Sequence, residues 1–299
     1  MQAGTFATPM SEPIPIADAA LARWRGWIGR TEQHNDAVHA AALDAWAATL
    51  DRDDALAARG DDVAPLAHWL FFLPLARQST LGPDGHPSRG GFLPPIDLPR
   101  RMWAGGRLQF LQPLRVGDAI TRTSRIAGVD AKSGKSGALA FVTVRHEISC
   151  PRGTAIVEEH DIVYRAAAQP GAVAPVPPAA AIDETFSRRI VPDPVLLFRY
   201  SALTFNGHRI HYDRSYVTEA EGYPGLIVHG PLIATLLMDL LRRERPRAVV
   251  KGFSFTAKSP LFDLHPFDVC GRFDGERGVV LWARNHQGAL AMQATAELA

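Results

Sequence analysis

Cysteine is almost missing from this chain: there are two, Cys150 and Cys270, one in each half. Two isolated thiols exclude a disulfide-stapled secreted module and provide no paired-cysteine metal motif. Neither sign of charge dominates, since 32 Lys and Arg face 31 Asp and Glu for a net +1. That balance lacks the broad basic footprint of a nucleic-acid binder, so no nucleic-acid partner is expected. Long hydrophobic runs are lacking too. The longest, Val228 to Leu241, is interrupted by His229 and Asp239 and falls short of the about 20 apolar residues that span a bilayer. No membrane partner is expected. The opening MQAGTFATPMSEPIPIADAA has neither a basic stretch nor a long apolar one, so no secretory leader is expected. Together these features lead us to expect a reducing, cytoplasmic location.

The 299 residues are 46% hydrophobic and 21% charged, an ordinary globular composition with length for about two domains. Composition shifts at AAAQPGAVAPVPPAAA, residues 166–181, an uncharged and aperiodic run whose prolines make a semi-rigid spacer. The expected division is residues 1–165, a linker over 166–182, and residues 183–299. The two sides share an order of elements. Helical ALARWRGWIGR and AVHAAALDAWAATLD precede strands in the first; the helix GPLIATLLMDLLRR precedes strands in the second. Each side carries a Pro-Leu pair beside a strand (Pro113-Leu114, Pro260-Leu261) and ends in a hairpin over a glycine turn, CPRGT and NHQGA. This repetition suggests an internal duplication. In the second half, Leu232, Leu236, Leu240 and Ile233, Leu237, Leu241 form two adjacent i, i+4 rows, and Ala234 and Met238 extend the apolar circumference. Such a helix is buried on every side. A buried helix wrapped by an antiparallel sheet is the hot-dog arrangement, so an α+β double hot dog is expected.

Between the linker and that helix lie FNGHRIHYD (Phe205 to Asp213) and GYPGLIVHGPL. These stretches resemble the hydratase motif of the MaoC-like enoyl-thioester hydratases. In that family an acid precedes a histidine by five residues, and a VHG turn then opens the central helix. The resemblance implies that His211 is the catalytic histidine, that Asn206 occupies the acid position, and that Thr235 is the small hydroxyl residue on the helix. Asn in place of the acid, and His208-Arg209 in place of Asn-Pro, are similar to one subgroup. It holds type 2 hydroxyacyl-thioester dehydratases and mesaconyl-C4-CoA (3-methylfumaryl-CoA) hydratases. WIGRTE, LGPDGHPSRGGFLPP, PRRMWAGG and PLRVGD in the first half resemble the non-catalytic repeat of that subgroup. The resemblance implies a homodimer, an acyl-CoA thioester as substrate, hydration of mesaconyl-C4-CoA to citramalyl-CoA, and no metal or redox cofactor.

The residues suit that chemistry. Adding water to a double bond conjugated to a thioester needs a base, donors for the developing enolate oxygen, and an acid for the α-carbon. Histidine titrates near neutrality and serves as base, which we assign to His211. Asn206 cannot take a proton, but its carbonyl can hold a water and its amide can donate. Gly230 and Pro231 open the helix, whose N-terminal amides and dipole favour a negative oxygen. His229, in the same turn, is either catalytic or a satisfied structural histidine. Arg209 is a candidate for a second, free carboxylate, or else a solvated loop arginine. Arg101 and Trp103, with Arg100, are candidates for the phosphates and adenine of coenzyme A, or an ordinary basic turn. His208, His211 and Asp213 are metal ligands by type, yet no Cys or Glu cluster accompanies them and no metal is expected. GVDAKSGKSG has the wrong glycine spacing for a P-loop and reads as a hairpin turn. The cluster His68-Trp69-Phe71-Phe72 either lines an acyl tunnel or is core. A hot-dog thioesterase and a non-catalytic acyl-CoA binder remain as alternatives.

Overall fold

In the computed structural model, residues 16–87, 91–134, 137–166 and 176–299 are described. Helix α1 (Asp18–Arg25) is followed by β1 (Thr31–Ala37) and α2 (Ala40–Thr49). Strands β2 (Arg100–Phe110), β3 (Ala119–Gly134), β4 (Gly137–Cys150) and β5 (Gly153–Arg165) complete the first half. The second half runs through β6 (Phe186–Ile190), α3 (Pro194–Leu203) and α4 (Gly230–Glu244). It closes with β7 (Val250–Ala257), β8 (Phe267–Asp274), β9 (Gly278–Arg284) and β10 (Leu290–Leu298).

Among the described residues, ten strands form one antiparallel sheet in the order β1-β3-β4-β5-β2-β7-β10-β9-β8-β6. Read outward from the β2–β7 seam, the two halves have the same strand order, as the duplication in the sequence led us to expect. The seam pairs Gly105 with Thr256 through Gln109 with Gly252. Gly106 is required there, since a Cβ on it would stand 2.9 Å from the Phe255 ring and 3.0 Å from the Glu159 carbonyl.

Helix α4 is the central element of the second half. Every residue from Leu232 to Leu241 is buried, packed against β6, β8, β9 and β10. Fully burying one Leu or Ile side chain is worth about 1.5–3 kcal/mol, so this helix has no stable alternative to enclosure. Its one buried charge, Asp239, is caged by arginines. Arg52 Nη1 donates to Oδ1 at 2.8 Å; Arg188 Nη1 and Arg243 Nε donate to Oδ2 at 3.1 and 2.7 Å. Arg52 follows α2 and Arg188 lies on β6, so one carboxylate ties α4 to both halves.

The first half departs from the expected helix-then-strands plan. The helix read over residues 20–30 stops at Arg25, because Gly26 takes its C-cap and Gly29 has φ +90°. TEQHNDA then forms an edge strand paired only with β3; an exposed edge needs no apolar alternation, so it carried no strand signal. Helix α2 packs against α3 and lies only along one end of its own sheet, so the middle of the concave face of β3–β5 is left facing a cleft. α3 is also unforeseen, although Asp193 caps it by accepting from Leu196 N at 2.8 Å and Pro194 sits in its first turn.

Residues 167–175 of the linker lie outside the described residues. Its end is no free spacer: Leu290 N donates to Pro178 O at 2.8 Å and Ala180 N to Gly288 O at 2.9 Å. GVDAKSGKSG belongs to the β3–β4 hairpin, with Gly134 paired to Gly137; residues 135–136 are outside the described set. No helix among the described residues is long and apolar enough to cross a membrane.

Asp239→Asn keeps an acceptor but removes the buried charge that three arginines share, while Arg52 retains Asp54 and Arg188 retains Asp51. It should therefore lower the unfolding free energy by about 1–3 kcal/mol, read from the urea midpoint, with an unchanged m-value.

Candidate active site

The motif FNGHRIHYD folds as a tight connection from α3 towards α4. Phe205 takes a left-handed turn at φ 50°, and Asn206 N donates to Ser201 O at 2.8 Å. The Asn206 side-chain carbonyl accepts the His208 backbone N–H at 3.0 Å. This fixes the amide's orientation, with a second lone pair still on Oδ1 and Nδ2 as the donor.

His211 ends a short helical turn, Arg209–His211, and is 8% exposed. Its Nδ1 lies 2.7 Å from the Ile227 carbonyl. A carbonyl only accepts, so Nδ1 carries the proton and Nε2 carries the lone pair. Burial pulls the His211 pKa down to about 4, against a smaller opposing effect of the Ile227 bond, so the ring is neutral at physiological pH. It stacks on His229, with centroids 3.7 Å apart and planes inclined by 19°. His229 is the N-cap of α4, and its Nε2 lies 2.8 Å from Ser201 Oγ. Burial also holds its pKa well below the ordinary value. His229 is thus a neutral platform beneath His211.

A loop of the first half docks on this motif. Asp84 Oδ2 lies 3.0 Å from His86 Nδ1, and the His86 ring lies 4.0 Å from that of His208. Arg209 N donates to Asp84 O at 2.9 Å. Gly85 (φ +87°) meets the Gly207 carbonyl so closely that no Cβ fits. Burial depresses the His208 pKa to about 2, with the charges of His86 and His211 adding to the effect.

Between the halves runs a cleft of about 1880 Å³, bordered by Ser201, Asn206, Gly207 and Pro231 on one side and by Arg101, Trp103 and His160 on the other. Gly230 begins α4 at this cleft, opposite the Trp103 backbone, whose carbonyl would lie 3.7 Å from a Cβ placed there.

Three of the expected binding residues do other work. Arg209 Nε and Nη2 donate to Asp213 at 2.9 and 2.7 Å, Nη1 donates to Pro83 O at 3.0 Å, and its guanidinium covers Tyr216. Its charge is already neutralised, which argues against a role for it in holding a substrate carboxylate. Thr235 is 1% exposed and hydrogen-bonds Tyr200 behind the site; it joins α3 to α4 and does not reach the cleft. Trp103 packs on His160 at 3.9 Å and Trp69 at 5.0 Å, so it is a wall of the cleft rather than an exposed adenine platform. Arg100 faces Tyr223 and Glu221. Arg101 does line the cleft and makes no ion pair among the described residues.

Sequence reasoning missed Asp84, His86, Tyr200 and Ser201. It also missed a buried polar group on the first half's sheet, which contains His146, Glu158 and His160. Asp84, His86 and His208 form one metal-capable triplet and His146, Glu158 and His160 another, each with ligand atoms within 4.8 Å of one another. Asp213, considered a ligand by type, instead accepts from Arg209, Ser215 Oγ and Tyr216 N.

The model of the family described as hydroxyacyl-thioester dehydratase type 2 matches residues 66–263. The chain belongs to that family. It is 51% identical over 280 residues to mesaconyl-C(4)-CoA hydratase of Chloroflexus aurantiacus, covering 93% of this chain and 98% of that one. It is 30% identical over 230 residues to the mitochondrial hydroxyacyl-thioester dehydratase type 2 of Schizosaccharomyces pombe, covering 69% and 76%. A Mycobacterium tuberculosis structure described as a double hot-dog fold superposes with a TM-score of 0.57 at 14% identity, over 91% of this chain and 96% of that one. The chain is therefore a double hot-dog hydro-lyase of the hydratase/dehydratase type acting on a thioester.

Because burial lowers the pKa of His208, His211 and His229, the unfolded chain binds protons that the folded one refuses. Stability is fully present above the unfolded value of 6.5 and is lost as pH falls below it, at about 1.4 kcal/mol per pH unit for each such group. Urea midpoints should be flat from about pH 8 to 7 and fall below about pH 6.5. His229→Gln should make that fall shallower. Gly85→Ala should displace the docked loop and cut turnover by about 100-fold, with little change in the far-ultraviolet circular dichroism.

Proposed function

We propose that the cleft reversibly hydrates a 2-enoyl-CoA, with mesaconyl-C4-CoA as the preferred substrate and citramalyl-CoA as product. The observation that carries the mechanism is the Nδ1–Ile227 carbonyl bond, which leaves the lone pair of a neutral His211 on Nε2. The identity to the Chloroflexus hydratase supports the substrate.

In this reading Asn206 Nδ2 donates to the attacking water and His211 Nε2 takes one of its protons. The water oxygen bonds to the β-carbon, and the π electrons move onto the thioester oxygen. That oxygen is held by the Gly230 N–H and the positive end of α4, a preorganised donor set of the kind worth about 3–4 kcal/mol in the transition state. His211 then returns its proton to the α-carbon, so that the hydrogens and oxygen of one water are added, His211 is neutral again and the thioester stays intact. No electron leaves the substrate and no group is stored between steps, so acid–base chemistry needs neither metal nor redox cofactor. The half holding residues 183–299 supplies this chemistry, and residues 1–165, joined by the 166–182 segment, shape the cleft. We further propose a homodimer and a cytoplasmic location, consistent with two buried free thiols.

Mass-resolved turnover of mesaconyl-C4-CoA and crotonyl-CoA tests the reading. The wild type should add one water to the thioester. His211→Ala should lose about 10²–10⁴-fold. Release of free coenzyme A by the wild type would make the protein a thioesterase instead. Asn206→Asp should alter kcat, and unchanged turnover would remove Asn206 from the mechanism.

A further inference from the structure

The concave face of the second half is apolar and filled: Phe253, Val269, Leu281 and Ala294 enclose α4. The equivalent face of the first half is apolar and covered at both ends, where Ile120 and Ile148 lie under Val38 and Phe71, and Val142 and Val144 under Trp24 and Ile96, but polar in the middle. Ser124, His146 and Glu158 stand opposite one another across β3, β4 and β5, with Arg122 and His160 two residues along on the same face. All but Ser124 line the cleft that also passes Asn206.

Glu158 is 2% exposed and has both oxygens occupied. Oε2 accepts from Trp69 Nε1 at 3.0 Å and lies 3.1 Å from His68 Nε2. Oε1 lies 3.0 Å from His160 Nε2, so both imidazoles face the one carboxylate. His68 and Trp69 are delivered by a strained loop, since the flanking Leu66 and Phe72 have φ 70° and 56°. Such strain persists only where the surroundings enforce it, and it gathers at binding sites. His146 Nδ1 is fixed on Ser124 Oγ at 2.8 Å.

Arg122 Nε is enclosed and without a hydrogen-bond partner. Arg122 makes no ion pair among the described residues; its guanidinium lies 5.0 Å over the Phe72 ring, and Glu158, Glu32 and Asp36 favour its charge only from a distance. An enclosed, unpaired donor is costly, and an arginine cannot relieve the cost by losing its proton. Glu158 is already engaged by Trp69, His68 and His160. What Arg122 lacks is a close anion with several acceptor lone pairs, and a planar carboxylate fits the fork of a guanidinium.

We propose that Arg122, with His68 and His160 beside it in the cleft wall, holds a free carboxylate at the far end of the acyl group. This rests on the thioester reading of the cleft and specifies its substrate class: dicarboxylic monothioesters are favoured over alkyl ones. It also replaces Arg209 with Arg122 as the carboxylate's partner.

Titration calorimetry with succinyl-CoA and butyryl-CoA tests this apart from catalysis, because neither has a double bond to hydrate and they differ by a carboxylate in place of a methyl. The wild type should bind succinyl-CoA at least about 10-fold more tightly, as a charged hydrogen bond implies. Arg122→Gln should erase most of that preference while leaving butyryl-CoA binding within about 3-fold. Arg122→Lys serves if that variant does not fold. Equal binding of the two thioesters by the wild type, or a parallel loss of both in the variants, would overturn the subsite. So would a stoichiometric metal ion that is lost in His146→Ala, with no succinyl preference after chelation. Crotonyl-CoA hydration is measured alongside: a succinyl preference without any hydration would sink the proposed reaction and leave the subsite standing.

Discussion

Everything in this molecule is arranged around the enclosure of α4. Its ten consecutive buried residues leave no polar face to turn to water, so β6 and β8–β10 must curve round it. That enclosure fixes where the helix begins. Its first turn opens on the cleft with amides that have no intrahelical acceptor, next to His229 and under His211. The geometry of the candidate site is therefore set by core packing, and the Asp239 cage extends the same constraint to Arg52 of the other half.

The two halves keep one strand order while differing in what fills them. In the second, the concave face holds a helix. In the first, a 10-residue α2 lies against α3 instead, and the vacated space is cleft. The catalytic loop is completed across this boundary, with Gly85 pressed against Gly207 and Asp84 receiving the Arg209 N–H. The half without the catalytic motif thus contributes the wall, the docked loop and the buried polar group.

The legible parts of the sequence were those with local signals. The α4 rows, the glycine turns and FNGHRIHYD each sit within a short window, and they led directly to the buried helix, the hairpins and the family. The polar edge strand β1 was invisible because only one side of it pairs. The Arg209–Asp213 pair went unread because Asp213, one helical turn on, was considered as a metal ligand and not as a carboxylate partner. Glu158 was illegible for a different reason. In IVEEHDI it reads as a surface charge beside Glu159, and only the strand's alternation turns it inward to His68 and Trp69, some ninety positions earlier in the chain. Long-range polar pairs of this kind leave no period to detect.

The β2–β7 seam joins the repeats as parts of one chain, and that has an evolutionary consequence. Were the same sheet assembled from two identical polypeptides, every substitution would appear twice, once on each side. A charge introduced to line one pocket would equally be placed against the other copy's central helix. Fusion removes that penalty. Arg122 and Glu158 can stand where their counterparts in the other repeat must be apolar, because each repeat now drifts under its own selection.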